Sequence, residues 1–165
     1  LKPVEGSQGT GVILAETTRL AEAVVETLLL ARRGVLVQHF VKESRGRDLR
    51  VVVVGGRVVA SMQRRAAPDE FRSNVHRGGR IEKTQLSPEL GSIAERAASA
   101  LGVALAGVDL IESRSGPLVL EVNASPGLEG IERATGADVA SAVLEQLENA
   151  AGASRSEVGL AKALQ

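Results

Sequence analysis

Three oxygen-bearing side chains stand where they could hold a hard cation. Glu121 and Asn123 are two positions apart in a strand-like stretch, so both leave the same face. Asp109 lies in the preceding apolar run, which the turn Glu-Ser-Arg-Ser-Gly-Pro would bring back as an antiparallel neighbour. Two carboxylates and an amide oxygen are ligands suited to Mg²⁺, and two carboxylates brought together without a cation repel each other. A solvated sheet face carries the same residues without chemical consequence, so the pattern alone leaves both open. Ala124-Ser125-Pro126-Gly127 turns the chain just past these ligands, where loops usually hold substrate.

A second group could hold phosphate. Glu5-Gly6-Ser7-Gln8-Gly9-Thr10-Gly11 is rich enough in glycine for backbone N–H groups to approach an anion closely, and Lys2 precedes it. No Gly-Lys-Ser/Thr follows, so it is neither a P-loop nor a dinucleotide fingerprint, and a mobile surface loop fits it as well. The third group is the stretch 64–80, with Arg64, Arg65, Arg72, Arg77, Arg80 and His76 against only Asp69 and Glu70. Arginine forks grip carboxylate and phosphate bidentately, and Ser73 and Asn74 add short polar groups. An RNA-binding patch would use the same charges. Asp48, between Arg47 and Arg50, suits either a structural ion pair or a ribose contact. His39 reads as a strand residue, and no Ser-His-Asp arrangement or His-rich metal site is visible.

The elements that must position these groups are legible. Val12-Ile13-Leu14 reads as a short buried strand. Thr17 or Thr18 can cap a helix striped by Leu20, Val24, Leu28 and by Ala21, Val25, Leu29, ending near Arg32-Arg33-Gly34. Val35–Val41 is β-branched and strand-like. Leu49–Val54 and Arg57–Met62 flank Gly55-Gly56, a hairpin signal. Residues 64–80 show no periodicity and read as a loop. Ser87-Pro88 opens a helix with Leu90, Ile93, Ala97 and Leu101 buried, and Gly102 closes it. Val103–Ile111 and Leu118–Val122 are expected to pair, with Val108, Leu110, Leu120 and Val122 turned into the core. A last helix spans about 138–150, and 151–165 reads as a flexible tail. The order β-α-β-β-β-α-β-β-α predicts an α+β domain over 1–150, an antiparallel sheet covered by helices.

Composition closes several classes. With no cysteine, disulfides, thiolate zinc sites and thiol catalysis are excluded, and a cytoplasmic setting is expected. Twenty basic residues balance twenty acidic ones, and two Phe are the only aromatics, which argues against a stacking platform for single-stranded nucleic acid. Apolar runs are short and interrupted, so no membrane span is expected. The chain opens at Leu1-Lys2-Pro3 without Met, which suggests a piece of a longer chain.

Taken together, Lys2, the block Glu5–Gly11, Arg72-Ser73-Asn74-Val75-His76-Arg77-Gly78-Gly79 and Glu121-Val122-Asn123-Ala124-Ser125-Pro126-Gly127-Leu128-Glu129-Gly130-Ile131-Glu132 resemble the RimK-type ATP-grasp ligases. The resemblance covers about 150 residues. It implies an ATP-grasp fold, here its carboxy-terminal portion, with the amino-terminal domain and first ATP-grasp segment absent. It also implies ATP- and Mg²⁺- or Mn²⁺-dependent joining of L-glutamate, through an acyl phosphate, to the C-terminus of small-subunit ribosomal protein six. A small-molecule or carrier-protein acceptor is the nearest alternative, followed by a non-catalytic nucleotide-binding fragment. In the family pattern Lys2, Gly6, Gly9 and Gly11 would contact ATP phosphates. His39 and Phe40 would sit on the adenine hinge, Asp48 near ribose, and Arg72, Ser73 and Asn74 along the nucleotide. Asp109, Glu121 and Asn123 would hold one or two Mg²⁺, and Arg64, Arg72 and Arg77 would serve the anionic chemistry. The hinge departs from the family, which commonly has Glu-Tyr where this chain has His39-Phe40. A homo-oligomer is expected at full length, with no direct nucleic-acid or membrane binding.

Overall fold

The computed structural model describes residues 1–6, 9–73 and 78–163, with 153–163 as backbone only. The chain begins with a short strand, β1 (Lys2–Pro3), and enters helix α1 (Thr18–Leu30), whose N-terminus is closed by the Thr17 hydroxyl accepting from the Leu20 N–H. Strand β2 (Val35–Leu36) then pairs antiparallel with β1. A 3-10 turn at Lys42–Ser44 leads into β3 (Arg47–Val54) and β4 (Arg57–Arg65). Gly55 and Gly56 join them with φ of +58° and +79°, the left-handed pair that a two-residue type I′ hairpin requires. Next come β5 (Arg80–Lys83), α2 (Pro88–Ala100) and the antiparallel pair β6 (Leu105–Ser113) and β7 (Gly116–Asn123). Helices α3 (Glu129–Thr135) and α4 (Val139–Ala163) complete the chain.

Strands β5-β4-β3-β6-β7 form one sheet, antiparallel throughout. Alternation along β3 and β6 sends side chains to opposite faces and so builds two cores. Val51, Val53, Ala106, Val108 and Leu110 pack under α2 against Ala94 and Ala98. Val52, Val54, Ala60 and Met62 pack on the other face against Ile131 of α3 and Val139 of α4. No aromatic ring enters either core. Fully burying a side chain such as Leu110 or Ile131 contributes about 1.5–3 kcal/mol, and without rings the packing falls to such aliphatics together with the stiff β-branched valines. The α+β architecture, an antiparallel sheet flanked by helices, is as the sequence predicts.

Several expectations are corrected. Val12–Leu14 forms no strand; its main chain is tied to the chain start by Ile13 N–H to Leu1 O (2.8 Å) and the Leu1 amine to Ile13 O (3.0 Å). The strand expected over 35–41 stops at Leu36, and 37–41 runs irregularly along a cavity. Helix α1 has no fully buried residue; Leu20 and Leu29, both assigned to its stripe, are exposed. Arg64 and Arg65 belong to β4, and Arg80 opens β5, so the 64–80 loop is shorter than its composition suggests. Helix α3 was not expected, because Gly130 interrupts its short pattern. The last helix continues past 150 to Ala163, where a tail was expected. Among the described residues no helix is long and apolar enough to cross a membrane.

Candidate functional site

On the face that α3 and α4 cover, each strand changes from carbon to charge partway along its length. Same-face positions in β3 read Val54, Val52, Arg50, Asp48, and in β4 Ala60, Met62, Arg64. Asp109 of β6 and Glu121 and Asn123 of β7 extend the charged half. The register sets the pairs side by side: Asp48 opposite Arg64, Arg50 opposite Asp109, and Asp109 opposite Glu121. The carboxylate pair expected across β6 and β7 is therefore present.

The buried part is an alternating chain of ions. Arg64 holds Asp48 with both prongs of its fork, Nε to Oδ1 and Nη2 to Oδ2, each at 2.7 Å. The same Nη2 donates to Asp109 Oδ2 at 2.7 Å. Arg50 donates from Nη2 to Asp109 Oδ2 at 2.8 Å and from Nε to Oδ1. Ser73 Oγ donates to Asp48 Oδ2. Asp48, Arg64 and Asp109 are all buried, so each charge needs the partners it has. Burial pulls the Arg64 pKa down, but its hydrogen bonds to Asp48 and the charges of Asp109 and Asp48 outweigh this and hold it above the ordinary value. Of the two roles open to Asp48, the ion pair is realised.

Glu121 differs. It is exposed, and its side chain makes no hydrogen bond or ion pair with the described residues. Asn123 Oδ1 accepts from the Ser125 N–H at 2.8 Å, which uses one of its two lone pairs. Among the described residues no three His, Cys, Asp or Glu side chains cluster closely enough to cage a metal alone. The donor set still fits Mg²⁺, which typically takes one or two carboxylates and fills its shell with phosphate oxygens and water.

Two cavities meet at this ion chain. One, of about 430 Å³, lies between the hinge 37–41, the 71–73 segment and β6–β7. The other, of about 1090 Å³, lies against α3 and the Ala124–Gly127 turn. Arg64, Asp109 and Glu121 line both. Lys2, Gly9, His39, Phe40, Asp48, Arg72 and Ser73 line the smaller cavity and Gly6 and Asn123 the larger, while Gly11 lines neither and instead turns against Pro3. Asn74 and Arg77, like Ser7, Gln8 and His76, lie outside the described residues.

Arg72 has a different setting from the one expected of a phosphate ligand. Its guanidinium clamps Glu70, Nε to Oε1 at 3.0 Å and Nη2 to Oε2 at 2.7 Å, and Nη1 reaches the carbonyls of Gly9 (3.1 Å) and Val12 (3.4 Å). It thereby ties the glycine loop to the 70–73 segment and walls the smaller cavity. The Arg72 fork, with the Arg72 and Phe71 N–H groups, holds the Glu70 pKa at about 2. The two aromatic rings, Phe40 and Phe71, meet edge-on here at 6.1 Å.

Three residues of the site escaped the sequence. In the sequence Arg50 is only a flank of Asp48, because nothing local says that β3 pairs with β6. Leu120 is expected from the alternation to point into the core beside Val122. A bulge between Asp109 and Leu110 pairs Leu110 with Val119 and frees Leu120 to line the smaller cavity. Phe71 had no pattern to mark it.

Comparison with known proteins places this geometry in a family. A family model, the RimK-like ATP-grasp domain, matches residues 1–147. The probable alpha-L-glutamate ligase 1 of Shewanella amazonensis is 53% identical over 151 residues, 92% of this chain and 50% of that protein. The probable alpha-L-glutamate ligase of Picosynechococcus sp. is 53% identical over 148 residues, 90% of this chain and 49% of that protein. The chain thus spans about half the length of these relatives. Among solved structures, a D-alanine–D-alanine ligase from Bacillus anthracis aligns with TM-score 0.68 at 20% identity, over 94% of this chain and 55% of that one, a likeness of fold alone. The ATP-grasp ligase PsnB, complexed with a minimal precursor, Mg and ADP, aligns with TM-score 0.55 at 25% identity, over 88% of this chain and 45% of that one.

Proposed function

The chain belongs to the RimK-like ATP-grasp family, and from that premise we propose that it carries the nucleotide-, metal- and acyl-transfer half of an α-L-glutamate ligase. The observation that carries this reading is the meeting of two cavities at Arg64, Asp109 and Glu121. Activating a carboxylate with ATP needs the nucleotide on one side, the accepting carboxylate on the other, and fixed charges where the phosphoryl group crosses. The smaller cavity suits the nucleotide: apolar walls from Phe40, Ile111 and Leu120 for the base, and Lys2 and the Gly9 backbone toward the phosphates. The larger suits the carboxylate and the incoming amine, with Arg50, Arg133 and Ser125 on its wall.

Asp109, Glu121 and Asn123 would hold Mg²⁺, which when bound offsets phosphate charge. In the proposed sequence a carboxylate oxygen attacks the γ-phosphorus and ADP leaves. The amine of glutamate then attacks the acyl carbon, phosphate leaves and an amide forms. Arg64, fixed at the junction by Asp48 and Asp109, presents a constant positive charge beside the transferred group. The acceptor proposed is the C-terminus of small-subunit ribosomal protein six. It rests on the Arg-Ser-Asn-Val-His-Arg-Gly-Gly and Asn-Ala-Ser-Pro-Gly-Leu-Glu-Gly blocks.

The test joins this chain to the amino-terminal half of a relative such as the S. amazonensis protein. ATP, Mg²⁺, glutamate and the acceptor should yield ADP, phosphate and a glutamyl-extended acceptor. AMP and pyrophosphate would refute the acyl-phosphate route.

A further inference from the structure

The metal-ligand candidate Asp109 is not free: three guanidinium N–H groups occupy its two oxygens. The two arginines that supply them are not equivalent. Arg64 lines both cavities and has a second carboxylate in Asp48. Arg50 lines only the larger cavity, and Asp109 is its one carboxylate partner among the described residues. Its slot is purpose-built. A Cβ on Gly107 would lie 2.8 Å from Pro126 Cβ and 2.9 Å from Arg50 Nη1, so only glycine lets the arginine lie across β6 under the proline.

Charges faced by an incoming cation follow from this. Asp48, Asp109 and Glu121 supply three negative charges, and Arg50 and Arg64 offset two of them within the same contact network. A bare divalent ion therefore meets little net attraction and a carboxylate on which three donors already occupy most of the acceptor sites. A cation arriving with a polyphosphate meets a different site, because the phosphates give the arginines new anions to face and add oxygen ligands of their own.

We propose that Arg50 gates the metal site: by clamping Asp109 it makes divalent-cation binding conditional on a bound nucleotide. This rests on the metal assignment of the proposed function and goes beyond it. Arg50 acts through Asp109 and is a positioning residue.

The experiment titrates Mn²⁺ into the protein and reads bound ion by electron paramagnetic resonance, with and without millimolar ADP. Wild type binds Mn²⁺ weakly alone and at least about tenfold more tightly with ADP, which corresponds to about 1.4 kcal/mol. Arg50→Met, with its charge and fork gone, binds bare Mn²⁺ about tenfold more tightly than wild type and loses most of the ADP dependence. Arg50→Lys keeps the charge and retains most of that dependence, which a purely structural role would not reproduce. Circular dichroism checks folding, and Arg50→Gln is judged by the same criterion if Arg50→Met does not fold. Equal bare-Mn²⁺ affinity in wild type and variant overturns the gate and leaves the metal site standing. No Mn²⁺ binding in any state overturns the metal site and the gate with it.

Discussion

Arg64 links a buried ion chain to the junction proposed for phosphoryl transfer. Replacing it with Met keeps the length of the side chain and removes the charge that joins Asp48 to Asp109. Asp109 keeps Arg50, but Asp48 is left buried with the Ser73 hydroxyl as its one side-chain donor among the described residues. Removing one partner of a buried pair costs about 3–5 kcal/mol, because the other charge stays without compensation. For a domain of this size each kcal/mol lowers Tm by about 2–4 °C, so Arg64→Met should melt roughly 6–20 °C below wild type. Adding Asp48→Asn removes the stranded charge and should recover part of the loss. The double variant is then more stable than the sum of the singles by about 1–3 kcal/mol. Urea and thermal denaturation of the four proteins, followed by circular dichroism, measure the cycle. A loss below about 1 kcal/mol for Arg64→Met, the value of an exposed pair, or strict additivity, would refute the buried ion chain.

Three further outcomes are expected. Glu70 has a folded pKa near 2 against an ordinary 4.5, so its contribution is full above 4.5 and is lost as pH falls toward 2. Glu70→Gln should therefore destabilise by about 1–3 kcal/mol at neutral pH, a gap to wild type that closes across that acid window in pH-dependent denaturation. Glu121→Gln, on an exposed and unpaired side chain, should change stability by less than about 0.5 kcal/mol while abolishing the Mg²⁺ dependence of nucleotide binding measured by calorimetry. Gly107→Ala should cost about 1–3 kcal/mol in denaturation, because its methyl runs into Pro126 and displaces Arg50.

What the sequence showed and what it hid divide along contact range. Local chemistry was legible: the Gly55-Gly56 turn, the Thr17 and Ser87 caps, and the alternation placing Asp109 and Glu121 on one face. The resemblance in the 72–79 and 121–132 blocks led to the same family as the comparisons. Non-local geometry was hidden. Arg50 reaches Asp109 only because β3 pairs with β6, and Leu120 leaves the core only because a bulge shifts the register by one residue. Apolar stripes also misled: α1 has the helical pattern but no fully buried residue, since pattern marks a face and not the surface that covers it.

Phosphoryl transfer to a carboxylate is proposed at the junction of the two cavities. It is tested most directly with an acceptor whose carboxylate oxygens are ¹⁸O-labelled, in the chain joined to a relative's amino-terminal half. An acyl-phosphate route leaves one labelled oxygen in the released inorganic phosphate. Label recovered in AMP, or amide formation with unlabelled phosphate, would contradict it.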